Sequence, residues 1–452
     1  MKTQKRNQFL VVTISVLCVL LTGCGRTGGE APRTETRRAT PGNPLAILLA
    51  LHAGDGRTDV EIRQRQEQIR AGKQTEIALE RLGWLFVAKA RESFDAGFYK
   101  LAERCALALD ARQPHCAEAL LLRAHVLQNL HRFAESEAVA RELVTARGQA
   151  FDFGVLGDAL MEQGKLTEAI AAYQKMADLK PDLHAQLRAA HVRWLKGDLE
   201  GALEMMQLAA GAVSPRDPDT AAWTLTRLAG YEFQAGRFDD ARRIAASALE
   251  FCADYPPALL LRGKMLLAEN KNAEAVETLR VAEKLNPLPE YQWALADALN
   301  AAGQTEEARA VEEKLRRQGA KADPRTFALF LATRGEQPEL ALRLAEEEMK
   351  SRGDVFTLDA LAWAEAGAGK FAGANRGIER ALAEGTQDAR LFLHAAIIAI
   401  RAGDSAAAKA FSEKTLALRH LLLPSERKGL ETLLAPLHEN KVVAVAPRAE
   451  KL

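Results

Sequence analysis

FGVLGDALMEQGKLTEAIAAYQKMADLKP, residues 153–181, reads as two amphipathic helices joined at Gly164. Phe153, Leu156, Gly157 and Leu160 lie eleven, eight, seven and four residues before Gly164, a helical spacing that gathers them into one packing stripe. Ala169, five residues after it, faces that stripe from the second helix. Glycine at 157 and alanine at 169 let the two helices approach closely.

The same turn recurs along the chain, at Gly97, His131, Gly164, Gly197, Gly236, Asn270, Gly303, Gly335, Gly369 and Gly403, with spacings of 34, 33, 33, 39, 34, 33, 32, 34 and 34. Seven residues before each turn stand Ala90, Ala124, Gly157, Ala190, Ala229, Gly263, Ala296, Ala328, Ala362 and Ala396. Five residues after it stand Ala102, Ser136, Ala169, Ala202, Ala241, Ala275, Ala308, Leu340, Ala374 and Ala408. Leu340 is the one large residue in these two series. No single pair can bury its apolar face alone, so the stretch is expected to fold as one stacked array.

This pattern resembles the tetratricopeptide repeat family over roughly residues 75–420, best at Leu156, Gly157, Leu160, Ala169, Tyr173 and Pro181. Two features depart from it: the family's terminal proline stands only at Pro114, Pro181 and Pro287, and no repeat has tryptophan at the usual first-helix packing site. The resemblance implies an all-α, right-handed α-solenoid of about ten helix pairs over residues 74–420, with first helices lining a concave groove. The 39-residue spacing places a longer loop at Gly211 to Thr220, with Pro215 and Pro218, as a hinge.

Capping helices are expected at both ends of the array. Residues 44–73 supply two. The first is Leu45 to Ala53, started by Asn43 and Pro44 and broken at Gly54-Asp55-Gly56; the second is Asp59 to Ala71, with Val60, Ile62 and Ile69 apolar, ending at Gly72. Residues 421–437 form the last cap, with Ser425 as N-cap and Leu430, Leu433, Leu434 and Leu437 on one face, followed by a disordered tail at 438–452.

Ahead of the array, Lys2, Lys5 and Arg6 precede an apolar run from Phe9 to Leu20, the layout of a secretory signal over residues 1–23 and short for a membrane span. The run ends in Leu21-Thr22-Gly23-Cys24, which resembles the lipobox of bacterial lipoproteins. That resemblance implies cleavage before Cys24 and a diacylglycerol on its sulfur. Two or more acyl chains anchor stably, because each buried CH₂ adds about 0.8 kcal/mol. Gly25, rather than Asp, follows the cysteine, and lipoprotein sorting then implies the outer membrane, facing the periplasm. Residues 25–43, rich in Gly, Thr, Pro and Arg, read as a tether of about 24 Å. Loss of the three basic residues on cleavage takes the formal charge from +1 to −2.

Composition limits the function classes. Hydrophobic residues make up 48%, charged residues 27% and aromatics only 6%, a balance of Ala/Leu-rich helices. With 61 Lys plus Arg against 60 Asp plus Glu, no basic excess points to nucleic acid. Cysteines at 18, 24, 105, 116 and 252 show no CxxC spacing, and Cys105 and Cys116 are expected to be too far apart to pair. His184 and His191 lack the neighbours of a metal site, Gly164-Lys165 lacks the first glycine of a phosphate loop, and neither HExxH nor GxSxG occurs. No catalytic residue, metal or cofactor is implied, and the chain reads as a binding protein.

The resemblance makes the face of each first helix away from its packing stripe the candidate contact surface, at thirteen, ten, six and three residues before each turn. All five tryptophans fall there: Trp84, Trp194, Trp223, Trp293 and Trp363. His184, His191, Asp158, Lys264, Asp297 and Asn300 share the face. Aromatic rings bring large contact area at low entropic cost, so these residues are either a partner-binding groove or packing between repeats. If they bind, Trp194→Ala with Trp223→Ala should weaken partner binding and leave melting nearly unchanged.

The expected function is an envelope scaffold or adaptor, anchored to the membrane by Cys24, holding a peptide or helix of a protein partner. It resembles tetratricopeptide lipoproteins that assist assembly of pili or outer-membrane proteins or export of polysaccharides. A polysaccharide on the tryptophans, and an activity built on His184 and His191, are the competing readings.

Overall fold

The computed structural model describes residues 45–438. Among these, twenty-two α-helices and one short 3₁₀ turn, Arg419–Leu421, account for the regular structure, and no strand is present. Helix α1 spans Arg57–Arg70. Ten antiparallel pairs follow: α2 (Thr75–Ser93) with α3 (Gly97–Asp110), α4 (Ala117–Asn129) with α5 (Phe133–Ala146), α6 (Ala150–Glu162) with α7 (Leu166–Leu179), and α8 (Leu183–Leu195) with α9 (Leu199–Gly211). Next come α10 (Pro218–Gln234) with α11 (Phe238–Phe251), α12 (Pro256–Ala268) with α13 (Asn272–Leu285), and α14 (Pro289–Ala301) with α15 (Thr305–Ala322). The last are α16 (Pro324–Arg334) with α17 (Pro338–Glu348), α18 (Val355–Gly367) with α19 (Phe371–Leu382), and α20 (Ala389–Arg401) with α21 (Ser405–Ala417); α22 (Pro424–His438) closes the array.

Nine of the ten expected turn residues have positive φ, from His131 at 58° to Gly403 at 81°. Gly97 does not; the left-handed residue of the first pair is Phe94, φ 54°, three residues earlier, and Gly97 opens α3. The small residues before and after each turn are buried, which is what lets the helices touch. At Gly157 an added Cβ would lie 2.3 Å from the Tyr173 ring.

Leu340 is explained by one extra turn residue. After Gly164 the second helix starts two residues on, at Leu166, whereas after Gly335 it starts three on, at Pro338, with Gln337 itself left-handed at φ 45°. The register slips by one, and fully buried Ala341 takes the small position while Leu340 is half-buried.

Aspartates and prolines set several helix starts. The Asp354 carboxylate accepts the N–H groups of Phe356 and Thr357 at 2.9 and 3.2 Å, satisfying donors that the first turn of α18 leaves open. Asp217 caps α10 in the same way, with Pro218 at the first helical position. The long spacing at this point divides between a loop of residues 212–217 and a 17-residue α10, one turn longer than its 13-residue neighbours α8 and α12.

The ends differ from expectation. Leu45–Leu49 is a hydrogen-bonded turn, not a helix, and it buries Leu48 completely against Ile62 and Ile69 of α1. The apolar run is too short to sustain successive helical bonds before Gly54, φ 114°. Asn43 and Pro44, the signal, Cys24, the tether and the tail after His438 lie outside the described residues. Ser425 is the second residue of α22, not its cap; the carboxylate that receives a backbone N–H there is Glu426, 2.8 Å from the Leu423 nitrogen.

The stack also returns on itself. The Gly353 N–H donates to the Glu162 carbonyl at 2.9 Å, the Thr386 hydroxyl to the Leu195 carbonyl at 2.7 Å, and the Gln234 amide to the Gln387 carbonyl at 2.6 Å. Lys196 pairs with Glu384. His420 Nε2 donates to the Phe233 carbonyl at 2.8 Å, and Arg427 to that of Leu267 at 3.0 Å. Leu166 and Leu195 share an apolar cluster with Val355, Leu358 and Leu391, so this contact is a packed interface. The inner ends of repeats three to six are thereby closed by the connections of repeats eight to ten and by α22.

Candidate functional site

The first helices α4, α6, α8 and α10 face a cavity of about 600 Å³, a volume within the range of ligand sites. Five of its residues stand where the repeat spacing puts the inner face, six or three residues before the turns: His125 and Gln128, Asp158 and Met161, and His191. Leu187, Arg188, Trp223, Arg227 and Tyr231 continue the wall, and Arg352 reaches in from the connection before α18.

Two of the three arginines are occupied by carboxylates. Arg188 grips Asp158 through Nε at 2.8 Å and Nη2 at 2.6 Å, a bidentate pair to which the Tyr173 hydroxyl adds a 2.9 Å bond. Arg352 Nε is 3.0 Å from Glu162, and its guanidinium lies 5.1 Å above the Phe133 ring. Arg227 differs. It lies 5.3 Å over the Tyr231 ring, with Nη2 3.2 Å from the Tyr231 hydroxyl and 3.4 Å from His191 Nδ1, and has no carboxylate within ion-pair distance among the described residues.

Burial, with Arg227 beside it, pushes the His191 imidazole down to about 3; burial, with Arg91 beside it, pushes His125 down to about 4. Both rings are therefore neutral at pH 7. Burial also holds the Glu162 carboxyl above its usual range. The wall offers one unpaired cation, neutral imidazoles, a phenol and an exposed indole. A smaller cavity of about 240 Å³ adjoins it, sharing Met161, Glu162 and His191 and bounded by Arg325, Asp354 and Phe356.

The expected contact residues do not form one surface. Trp223 is 42% exposed and lines the cavity with Asp158 and His191. Trp194 is a packing residue: it stacks on Tyr231 at 5.9 Å and on Phe356 at 5.7 Å, while its indole N–H donates to Gln234 at 2.7 Å. It joins repeats four and five to repeat nine, so changing it cannot leave stability untouched. Trp293 is 1% exposed, with Arg390 4.9 Å over its ring and its N–H 3.3 Å from Ser425.

Asp297, 2% exposed, pairs with Arg334 at 2.9 Å and accepts the Ser425 N–H at 2.8 Å; burial raises it to about 6. Both residues lie under α22, away from the groove where the spacing put them. Trp363 stacks on His394 at 4.2 Å and donates to Thr333, and Trp84 is half-buried 5.3 Å from His125. His184 is exposed beside Phe151, Lys264 pairs with Glu290 at 2.6 Å, and Asn300 is exposed near the C-terminal end of α14, in the seventh pair.

His125 was legible on the stripe, six residues before its turn. Arg188 and Arg227 each stand nine residues before a turn, on neither stripe, and Arg352 lies in a connection, where the repeat carries no information. Cys105, Cys116 and Cys252 are unpaired, and burial pushes the Cys105 thiol up. Among the described residues no three His, Cys, Asp or Glu side chains are grouped as metal ligands, and no helix is long and apolar enough to cross a membrane.

The tetratricopeptide repeat family model matches residues 155–221, 226–288 and 260–323, in the middle of the array. No curated protein matches the chain. Among solved structures, the chain is similar to a human IFIT1 dimer with PPP-AAAA, at 11% identity over 83% of this chain and 93% of that one, TM-score 0.45. It is also similar to Pseudomonas aeruginosa PilF, at 15% identity over 62% and 97%, TM-score 0.28.

Proposed function

We propose that the chain is a scaffold of a bacterial cell envelope, held by a lipidated Cys24 at the outer membrane and facing the periplasm, that seats a short extended segment of a partner protein in the inner cavity. Tetratricopeptide repeats support the scaffold role. The observation that carries the binding site is the cavity itself, built from inner-face residues of four successive repeats with Trp223 exposed in its wall. A helix is about 10 Å across, so about 600 Å³ holds less than two turns of one, and an extended segment fits better than a docked helix. The signal and lipobox sequence supports the anchor. Four of the five tryptophans are packed against apolar clusters, which leaves Trp223 alone in the cavity wall and removes the reason for a carbohydrate platform.

Crosslinked pulldown from native membranes, comparing wild type with Trp223→Ala, tests the site. Envelope proteins captured by wild type and lost in the variant, at unchanged melting temperature, are expected; identical profiles would move binding away from the cavity. Cys24→Ala tests the anchor, which requires the protein to leave the membrane fraction.

A further inference from the structure

Resting on the reading of the cavity as a peptide site, we infer that it recognises one acidic side chain within the bound segment, and that Arg227 is the residue that binds its carboxylate. A guanidinium in a cavity wall ordinarily finds a carboxylate, as Arg188 finds Asp158 and Arg352 finds Glu162. Arg227 has only the Tyr231 ring and hydroxyl and a neutral His191. It lies in the same wall as exposed Trp223, which offers apolar area to the residues flanking the acid.

The charge count selects a monoanion. The three wall arginines face Asp158 and Glu162, which leaves a single positive charge. A nucleic acid brings one negative charge per phosphate and needs a row of cations, and it would meet these two wall carboxylates. One guanidinium with neutral donors around it matches one carboxylate, by the bidentate geometry that arginine favours.

The test uses the full-length lipoprotein in detergent micelles and two capped pentapeptides, acetyl-Ala-Leu-Glu-Leu-Ala-amide and its glutamine counterpart, titrated by ligand-observed NMR. Amidation removes the terminal carboxylate, so any preference comes from the side chain. Wild type should bind the glutamate peptide about tenfold more tightly than the glutamine one, the size of one charged hydrogen-bonded contact. In Arg227→Gln the two peptides should bind within about twofold of each other, the glutamate peptide having lost its advantage. Arg227→Lys, which keeps the charge without the fork, should keep part of the preference.

Equal affinities in wild type, a preference that survives Arg227→Gln, or no binding of the glutamate peptide at millimolar concentration would each overturn the assignment. So would displacement of that peptide by an oligoadenylate or by inorganic phosphate at lower concentration. Capture of envelope proteins that still depends on Trp223 would leave the scaffold reading standing when the carboxylate site has failed.

Discussion

Trp194→Ala and Trp223→Ala should separate sharply, although both residues fall on the same face of their helices. Trp194 loses ring stacking on Tyr231 and Phe356 and leaves the Gln234 side-chain oxygen without its 2.7 Å donor. Truncating a buried tryptophan costs about 3–5 kcal/mol. Trp194 is half-buried, so the low end applies, about 3 kcal/mol, with about 1 kcal/mol more for the unpaired amide oxygen. Trp223, 42% exposed and outside the ring stacks, should cost less than about 1 kcal/mol. Because a repeat array need not unfold in one step, the comparison belongs in residue-resolved hydrogen exchange beside urea denaturation. Trp194→Ala should accelerate exchange in both α8 and α18, 160 residues apart in sequence, whereas Trp223→Ala should leave α18 unchanged. Equal effects of the two variants, or an unaltered α18 in Trp194→Ala, would refute the closure of repeat four on repeat nine.

Gly164→Ala places a Cβ 2.2 Å from the Gly353 carbonyl oxygen at φ 75°, whereas Gly236→Ala, at the same φ, meets nothing within 4 Å. The second should cost about 1 kcal/mol from backbone conformation alone, and the first at least twice that; urea midpoints measure both. His125 and His191 have folded values of about 4 and about 3 against an unfolded value near 6.5, so the unfolded chain takes up protons first. Their contribution is complete above the unfolded value and is lost as pH falls toward the folded ones. Going from pH 7 to 5 should remove about 4 kcal/mol in all, roughly half from each ring, and His125→Gln with His191→Gln should flatten that slope. Truncation before Leu422 uncovers Trp293, and its emission should shift to longer wavelength with stronger acrylamide quenching; an unchanged spectrum would show that α22 is not what buries it.

The helix pairs were readable because each repeat is a local problem. Turn residues able to adopt positive φ, and small residues seven before and five after them, are fixed by contacts within one pair and its neighbour, and those contacts recur every 34 residues or so. Even the exception at Leu340 has a local cause, one added residue before Pro338. The first cap was misread because Leu45 to Ala53 has an apolar pattern but not the length for a helix.

Which inner faces stay open could not be read this way. The spacing places Trp293 and Asp297 on the same face as Asp158 and His191, yet the first two lie under α22 and the second two line the cavity. The difference is made by Gly353, Thr386, Gln387, His420 and Ser425 closing on segments more than 120 residues earlier. Such closure depends on the summed small rotations between successive repeats, which no single repeat's sequence encodes. The sequence therefore determined the pairs, their register and the stripe facing inward. Only the tertiary structure decided which part of that stripe is core and which is a cavity with Arg227 unpaired in its wall, because burial there is set by elements returning from far along the chain.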